Sequence, residues 1–340
     1  MSLRIFILGI NGFIGSHLLT QILARQPDWQ IVGFDLHDHR IKDKLDDPRL
    51  EFKQGDINQS SHWIAQQVQN CDVILPLIAI ATPATYVNNP LAIFELDFEA
   101  NLRIIRLCVE HHKRVVFPST SEVYGMCTDP VFDEETSPLI LGPINKPRWI
   151  YSCSKQMLDR VIHAYGLQSR LNYTLFRPFN WIGAQLDDPH NPKPGSSRVI
   201  SQFMGNILRG ESIQLVEGGQ QRRSFIDIED GTSALLKILE NKEGCAEQRI
   251  FNIGNPQNDC SIEQLARYLL EEIKRYPNYA AIAQNTQFET IAGEQYYGAG
   301  YQDVAYRVPS IKNAQRYLGW TPKIDIQTSL QKIVAYHLAG

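Results

Sequence analysis

"LRIFILGINGFIGSHLLTQILAR", residues 3–25, decides the fold of this chain. It opens with a continuous apolar run over residues 3–8, which is typical of a strand buried on both faces. Gly9, Gly12 and Gly15 follow in the spacing GxxGxxG, and apolar residues then recur at helical intervals. This order of strand, glycine turn and helix predicts a dinucleotide site. The glycines let the backbone approach a pyrophosphate, and the helix N-terminus offers free N–H groups.

The next predicted strand, "QIVGFDL", places an acid where it can select the cofactor. It contains Asp35, twenty residues after Gly15, and a carboxylate there can accept hydrogen bonds from both ribose hydroxyls of the adenosine. The same charge would repel a 2′-phosphate, so the sequence favours NAD over NADP. His37, His39 and Arg40 lie close by and leave NADP open as an alternative.

Strands and helices alternate through the rest of the first half. Strands are predicted in "LEFKQGDI", "CDVILPLIAI" and "RVVFPSTSEVYG", and a helix in "ELDFEANLRIIRLCVEHH". This alternation predicts an α/β fold with a Rossmann-type, doubly wound parallel sheet, whose ligands bind beyond the carboxyl ends of the strands. We expect those ends at Asp56 and Ile57, just before Ala81, and at Ser121.

The pattern changes near Pro178, and a smaller α/β substrate-binding domain is predicted beyond it. "DDPHNPKPGSSRVI" is a loop without periodicity, whereas "SQFMGNILRG" and "SIEQLARYLLEEIKRY" are amphipathic helix patterns. Short strands are predicted in "SIQLVEG" and "RIFNIGN". We therefore expect residues 1–179 to form the nucleotide-binding domain, with 225–243 returning to it, and 180–340 to form mainly the second domain. Residues 126–150, which contain several prolines, are typical of a lid.

Composition excludes several classes of protein. The 340 residues are 43% hydrophobic and 21% charged, with a net charge of -4 and no basic block, so a nucleic acid partner is not expected. No apolar run reaches the roughly 18 residues that span a bilayer, which argues against membrane insertion. The six cysteines show neither a CxxC pair nor a Cys/His metal spacing. They are typical of reduced thiols in a cytoplasmic protein without a metal site.

A tyrosine and a lysine four residues apart, Tyr151 and Lys155 in "WIYSCSK", lie on one face of a predicted helix. Alone, they indicate only a packed ring beside a snorkelling lysine. The strand in "FPSTSEVYG" changes this, because it should bring Thr120, Ser121 and Glu122 to the same edge of the sheet. Oxidation of an alcohol needs a base, and a nearby ammonium lowers the phenol pKa from about 10. The sequence therefore predicts proton transfer by Tyr151, assisted by Lys155, with Ser121 holding the substrate oxygen.

The glycine loop, Asp35, the Ser/Tyr/Lys set and "RSFIDIED" resemble the extended short-chain dehydrogenase/reductase family. More specific stretches are "FPSTSEVYGMC", "GPINKPRWIYSCSKQMLDRVIHAYG", "LFRPFNWIG", "FNIGNP" and "YYGAGYQDV". They resemble the UDP-glucuronic acid decarboxylase domain of the bifunctional enzyme of the lipid A aminoarabinose pathway. The similarity runs through essentially the whole chain, and a formyltransferase domain is not expected because the sequence begins directly at the dinucleotide strand. This resemblance implies NAD as cofactor, UDP-glucuronic acid as substrate and a role in lipid A modification.

The implied reaction is an oxidative decarboxylation. The C4 hydroxyl of the sugar is oxidised by NAD⁺ while Tyr151 takes the hydroxyl proton. The resulting ketone is β to the C6 carboxylate, so CO2 leaves readily and C5 is then protonated. Glu122 and Arg307 match the acid–base pair of the family's decarboxylation step. Because the pKa of arginine exceeds about 12, we expect Arg307 to orient the carboxylate and stabilise charge instead.

The same resemblance implies binding roles. Arg148 matches a contact of NAD, and Asp56 and Ile57 match contacts of its adenine. The residues that match the lining of the UDP-sugar site are Ala81, Tyr86, Thr120, Ser121, Asn180, Arg198, Arg223 and Tyr301. The two arginines of this set suit a diphosphate, which favours forked guanidinium donors. Gln214 stands where the family enzyme has a lysine, so we expect weaker nucleotide binding or a slightly different substrate set.

Three other functions stay open. A UDP-xylose synthase would reduce the ketone again, and a UDP-sugar 4-epimerase would not decarboxylate, which Glu122 and Arg307 disfavour. An NAD(H)-sensing regulator on the same fold would not need the tyrosine and lysine pair. The family commonly pairs two long helices across a dimer face, so we expect a homo-oligomer formed by helices near residues 93–112 and 152–166.

Overall fold

The first strand and helix form where the glycine pattern predicts them. A computed structural model describes residues 2–191, 198–298 and 302–338 of the chain. In it, the side chains of the first strand alternate between two cores, with Ile5 in one and Phe6 in the other. Both side chains are fully buried. The strand is therefore covered on both faces, which explains its unbroken apolar run.

The strands are short and lie throughout the described residues. In chain order they are β1 (Arg4–Leu8), β2 (Gln30–Asp35), β3 (Leu50–Gln54), β4 (Val73–Pro76), β5 (Arg114–Pro118), β6 (Tyr173–Pro178), β7 (Trp181–Ile182), β8 (Ile213–Val216), β9 (Arg222–Ser224), β10 (Ile226–Asp227), β11 (Arg249–Ile253), β12 (Asp259–Ser261) and β13 (Phe288–Ile291).

The helices alternate with these strands in the first half and dominate the second. In chain order they are α1 (Phe13–Arg25), α2 (Ser61–Asn70), α3 (Pro83–Asn88), α4 (Pro90–Ile93), α5 (Asn101–Glu110), α6 (Trp149–Leu167), α7 (Val199–Leu208), α8 (Ile228–Glu240), α9 (Ile262–Ile273), α10 (Pro277–Asn285), α11 (Gly293–Tyr297), α12 (Lys312–Leu318) and α13 (Ile326–Leu338). A π-helical segment, Phe94–Ala100, joins α4 to α5, and a 3₁₀ turn, Ser121–Tyr124, follows β5.

The central sheet confirms the predicted Rossmann-type fold. Within the described residues it has seven parallel strands in the order β11-β6-β5-β4-β1-β2-β3. The chain moves outward in one direction from β1 to β3 and in the other from β4 onward. The switch point therefore lies between β1 and β4, and ligands of such sheets bind in the crevice beyond the strand ends at this point.

Four predicted strands differ from the structure. The strand expected to end at Ser121 is β5, which ends at Pro118, and a 3₁₀ turn begins at Ser121. The third strand ends at Gln54, before Asp56 and Ile57, and the fourth ends at Pro76, so residues 77–80 are a loop in spite of their apolar character. "RIFNIGN", predicted among the strands of the second domain, instead supplies β11 of the central sheet. The sequence of a short apolar strand shows that it is buried but not which sheet it joins, because its side chains can pack equally well in either core.

A separate core supports the second half of the chain. Its buried members come largely from α7, α9 and α13 and include Phe203, Leu269 and Leu330. Two-stranded pairings of β8 with β13 and of β9 with β12 lie beside these helices. A smaller α/β unit beside the sheet agrees with the predicted architecture, and the domain boundaries themselves stay a prediction.

None of the helices in the described residues combines the length and the apolar character that crossing a membrane requires. The six cysteines are unpaired, and Cys153 on α6 is the exposed one.

Candidate active site

The glycine turn lets the N-terminus of α1 pack closely against the end of β1. Gly9 has a φ of +83°, a conformation that L side chains rarely adopt. A Cβ added to Gly15 would lie 2.5 Å from the Gly9 carbonyl oxygen and 2.6 Å from that of Ile10. Only glycine fits this close approach of helix and strand. The turn therefore presents the free N–H groups of the α1 N-terminus at the switch point, as a dinucleotide pyrophosphate requires.

Asp35 lies at the end of β2 and faces this turn. One of its carboxylate oxygens accepts a hydrogen bond from the Asn11 N–H at 2.8 Å. Arg40, the cation that left NADP open, donates its guanidinium hydrogens to the Gln185 carbonyl at 3.0 Å. The backbone N–H of Arg40 is held by the Asn11 side chain at 2.7 Å. The acid is thus placed for a ribose, while the nearby cation is bound to main-chain oxygen.

Wild-type protein should therefore use NAD⁺ with a kcat/KM about 10²-fold above that for NADP⁺, because a 2′-phosphate would meet the Asp35 charge at short range. Initial rates with each cofactor measure this ratio, and Asp35→Asn should reduce it. Asp38→Asn, which removes an equal charge from the same loop, serves as the matched control and should leave the ratio unchanged. Equal rates with the two cofactors in the wild type would contradict the role given to Asp35.

Helix α6 carries the tyrosine and lysine into the interior. Tyr151 is buried and stacks on Tyr86, with ring centroids 4.7 Å apart and an interplanar angle of 7°. Lys155 is 1% exposed, and its ammonium donates a hydrogen bond to the Pro118 carbonyl at 3.1 Å. The same ammonium lies 3.9 Å from a carboxylate oxygen of Asp97. The pair therefore sits at the carboxyl end of β5, as predicted.

The pKa of Tyr151 is raised, whereas the sequence led us to expect it lowered. Burial is the largest cause, and the negative charges of Asp97 and Glu122 add to it, while a hydrogen bond with Thr120 acts in the opposite direction. The ammonium of Lys155 is turned toward the Pro118 carbonyl and Asp97. A sequence shows which charge lies one helical turn away but not which other charges are buried with it.

Glu122 is held between two arginines. Its two carboxylate oxygens accept hydrogen bonds from Arg307 at 2.8 Å and from Arg148 at 2.5 Å. Burial raises the pKa of Glu122, but the two guanidinium charges outweigh it and bring the pKa to about 2. Arg148, 2% exposed, also donates to the Gln302 carbonyl at 2.5 Å. Glu122 is therefore ionised in this arrangement and acts as an acceptor.

A cleft between the sheet and the second core collects many of the predicted residues. Those that line it, within the described part of the chain, are Glu122, Arg148, Asn180, Arg198, Gln214, Arg223 and Arg307. Arg198 pairs with Asp187 at 2.8 Å, and Arg223 pairs with Asp303 at 2.6 Å. A cleft with this many guanidinium groups suits a substrate that carries several negative charges.

Other predicted residues lie around the cleft or nearer the nucleotide turn. Thr120 caps the 3₁₀ turn by accepting from the Glu122 N–H at 3.2 Å, and Ser121 begins that turn and is buried. Asp56 and Ile57 follow β3, and Ala81 is exposed in the loop before α3. Tyr301 lies outside the described residues. The individual roles of all these residues stay predictions.

Three residues near the site were not anticipated. Asp97 contacts Lys155, Asp303 pairs with Arg223, and Tyr297 lines the cleft. Asp97 lies in the π-helical segment, where regular helical spacing does not predict which face a residue occupies. No periodicity marks the other two, which lie at the end of α11 and in the loop after it.

Comparison with known proteins places the chain in a family. A model described as the NAD dependent epimerase/dehydratase family matches residues 5–254. The crystal structure of PbgP3 protein from Burkholderia pseudomallei is 49% identical, with a TM-score of 0.89 over 100% of this chain and 97% of that one. The dTDP-glucose 4,6-dehydratase from Bacillus anthracis in complex with NAD is 20% identical, with a TM-score of 0.77 over 98% and 96%. The UDP-glucose 4-epimerase from Thermotoga maritima with UDP-glucose is 20% identical, with a TM-score of 0.79 over 98% and 98%.

Proposed function

The chain belongs to the NAD-dependent epimerase/dehydratase family, the extended short-chain dehydrogenases/reductases, and on that premise we propose that it oxidatively decarboxylates UDP-glucuronic acid. The products are UDP-4-keto-pentose, CO2 and NADH. The observation that carries this proposal is the cluster of Glu122, Arg148 and Arg307 in the cleft. Ser121 precedes Glu122 in the chain, and the charge of Glu122 acts on Tyr151. Two buried guanidinium groups that share one carboxylate, Glu122, have donors left for a substrate that brings a second carboxylate.

The first step is oxidation at C4. Bound NAD⁺ supplies the hydride acceptor, and the fit of a dinucleotide at the glycine turn supports its use. Tyr151 takes the proton of the C4 hydroxyl, and Ser121 holds the same oxygen. The ammonium of Lys155, on the same helix, stabilises the phenolate that Tyr151 must present.

The second step breaks the bond between C5 and C6. Its electron pair passes into the C4 carbonyl as an enolate and CO2 leaves. C5 then takes one proton from solvent water, which balances the proton that left the C4 hydroxyl. Arg307 donates one hydrogen bond to Glu122. A guanidinium has five N–H donors, so the remaining donors of Arg307 can bind the substrate carboxylate. Glu122 fixes Arg148 and Arg307 in place and is too acidic to protonate C5 while both hold it.

The nucleotide half of the substrate meets the remaining cations. Arg198 and Arg223 face the cleft with donors suited to a diphosphate. Each already has a carboxylate partner, Asp187 or Asp303, which fixes the direction of its fork. Gln214 also lines the cleft but is neutral, so it can add a hydrogen bond but not a charge.

The decisive experiment is a mass spectrum taken after incubation with UDP-glucuronic acid and NAD⁺, with NADH absorbance followed in parallel. We expect UDP-4-keto-pentose and one NADH per CO2. UDP-xylose without net NADH would identify the synthase, a hexuronate epimer would identify the 4-epimerase, and an unchanged substrate would favour the regulator. UDP-glucose is the matched control, because it has the C4 hydroxyl but no carboxylate to lose.

We also propose that the protein acts as a homo-oligomer in the cytoplasm. The two helices predicted to pair are present, and each exposes apolar side chains, Phe94 on the first and Met157 on the second. Burial of such side chains between copies would be favourable. Light scattering of the purified protein should give at least twice the monomer mass, and a monomer at assay concentration would contradict this.

A further inference from the structure

A buried carboxylate with one unsatisfied oxygen lies beside the ammonium of Lys155. Asp97 is 0% exposed. One of its oxygens accepts from the Ile80 N–H at 3.0 Å. The other, 3.9 Å from the Lys155 ammonium, has no hydrogen-bond partner among the described residues. Burying a carboxylate destabilises the fold unless the charge is paired. The buried position of Asp97 therefore indicates a function for its charge.

The backbone is adapted to put this carboxylate there. The segment Phe94–Ala100 is π-helical, and π-bulges are rare and occur frequently at functional sites. Asn101 holds the bulge in place, because its side-chain amide donates to the carbonyls of Leu96 at 3.1 Å, Asp97 at 3.3 Å and Ile78 at 3.3 Å. The bonds to Leu96 and Asp97 occupy main-chain oxygens of the π-helical segment, and the bond to Ile78 ties the segment to the loop after β4. Asp97 is thus fixed to a rigid element and not to a mobile turn.

We propose that Asp97 is the positioning residue of the proton-transfer pair, the counter-charge that keeps the Lys155 ammonium ionised and held at the carboxyl end of β5. The other acid near Lys155, Asp159, already has a cation, Arg177, at 3.2 Å and a hydrogen bond from Ser119 at 2.7 Å. Among the described residues Asp97 has no comparable second cation, so Lys155 is its charged partner. This inference rests on the proposed roles of Tyr151 and Lys155, but not on decarboxylation, since an epimerase would need it equally.

The electrostatics agree with this role at neutral pH, because burial raises the pKa of Asp97 only to about 6 and the charge of Lys155 opposes that shift. Burial lowers the pKa of Lys155, and the charges of Asp97 and Asp159 oppose that shift. Burial also raises the pKa of Tyr151, and Asp97 raises it further. The other titratable or charged groups that act on Asp97, Lys155, Tyr151 or the stacked ring of Tyr86 are Glu122, Arg148, Arg198 and Asp159.

The test is the pH profile of Asp97→Asn, followed as the single-turnover rate of NADH formation. An asparagine can still accept from the Ile80 N–H, so the change removes the charge and keeps that bond. The acid limb reports a base that must lose its proton, and the alkaline limb reports an ammonium that must keep one. Loss of a nearby negative charge lowers both pKa values, so both limbs should move to lower pH by at least about one unit.

Controls separate this role from a structural one. Glu99→Gln removes an equal charge from the exposed side of the same helical segment and should leave both limbs in place. Asp97→Glu keeps the charge, so both limbs should stay at the wild-type pH, even if the maximum rate changes. If the Asn variant does not fold, the smaller neutral Asp97→Ser gives the same reading.

A rate that falls equally at every pH, with both limbs unmoved, would overturn the proposal for Asp97. Its failure is distinguishable from failure of the proposed function. If Tyr151→Phe is inactive while the Asp97→Asn profile stays in place, only the present inference is wrong. If Tyr151→Phe is fully active, the proton-transfer pair itself is wrong.

Discussion

Replacing Tyr151 by phenylalanine should lower the rate of NADH formation by about 10³-fold, since general base catalysis contributes roughly 10² to 10⁴. The substitution removes only the phenol oxygen, and the ring can keep its stack on Tyr86. Binding of the nucleotide sugar should therefore change little, which titration calorimetry can check. Stopped-flow absorbance of NADH with saturating substrate measures the chemical step directly.

Tyr165→Phe is a matched control, because it removes a phenol oxygen from the same helix at a position away from the cleft. It should retain wild-type rates. Lys155→Met should be as severe as Tyr151→Phe, because the phenolate loses its stabilising charge. A Tyr151→Phe variant that keeps most of its activity would restore the simpler interpretation, in which this tyrosine only packs in the core.

The nucleotide half of the fold could be predicted from local chemistry. Gly9 and Gly15 are required by a backbone conformation and a close approach, so their spacing carries structural information directly. The end of β4 could not be predicted, because residues 77–80 stay apolar after the strand has stopped. The place of β11 in the central sheet could not be predicted either, because β11 pairs with β6, a strand that is distant in the sequence.

Some contacts of the candidate site could likewise be predicted from the sequence, and others could not. Tyr151 and Lys155 are one helical turn apart, so their proximity is visible in the sequence. The contact of Glu122 with Arg307 joins residues 185 positions apart, and only the resemblance to a family brought them together beforehand. The influence of Asp97 on both members of the pair depends on a π-bulge, which shifts the regular register of the helix. The expected lowering of the Tyr151 pKa was wrong, because burial and the charges of two buried acids, Asp97 and Glu122, raise this pKa instead.

Arg307→Ala should separate the two chemical steps, slowing CO2 release by about 10²-fold more than hydride transfer, the magnitude of a lost charge-assisted hydrogen bond of about 2 to 3 kcal/mol. CO2 loss requires the carboxylate to stand out of the plane of the ketone, so that the breaking bond overlaps the carbonyl π system. We assign that orientation to Arg307, which is not needed to remove the C4 hydride. Single-turnover NADH absorbance and trapped CO2 measure the two rates on one sample.

The variant should then accumulate a 4-keto sugar that still carries its carboxylate, which a mass spectrum distinguishes from the ketopentose. Arg222→Ala is the matched control, because Arg222 pairs with Asp259 and does not line the cleft. It should leave the ratio of the two rates unchanged. Loss of Arg307 also leaves Glu122 with Arg148 as its remaining guanidinium partner in the described site, so the pKa of Glu122 should rise. If CO2 release in Arg307→Ala keeps pace with hydride transfer, this arginine does not act in the second step.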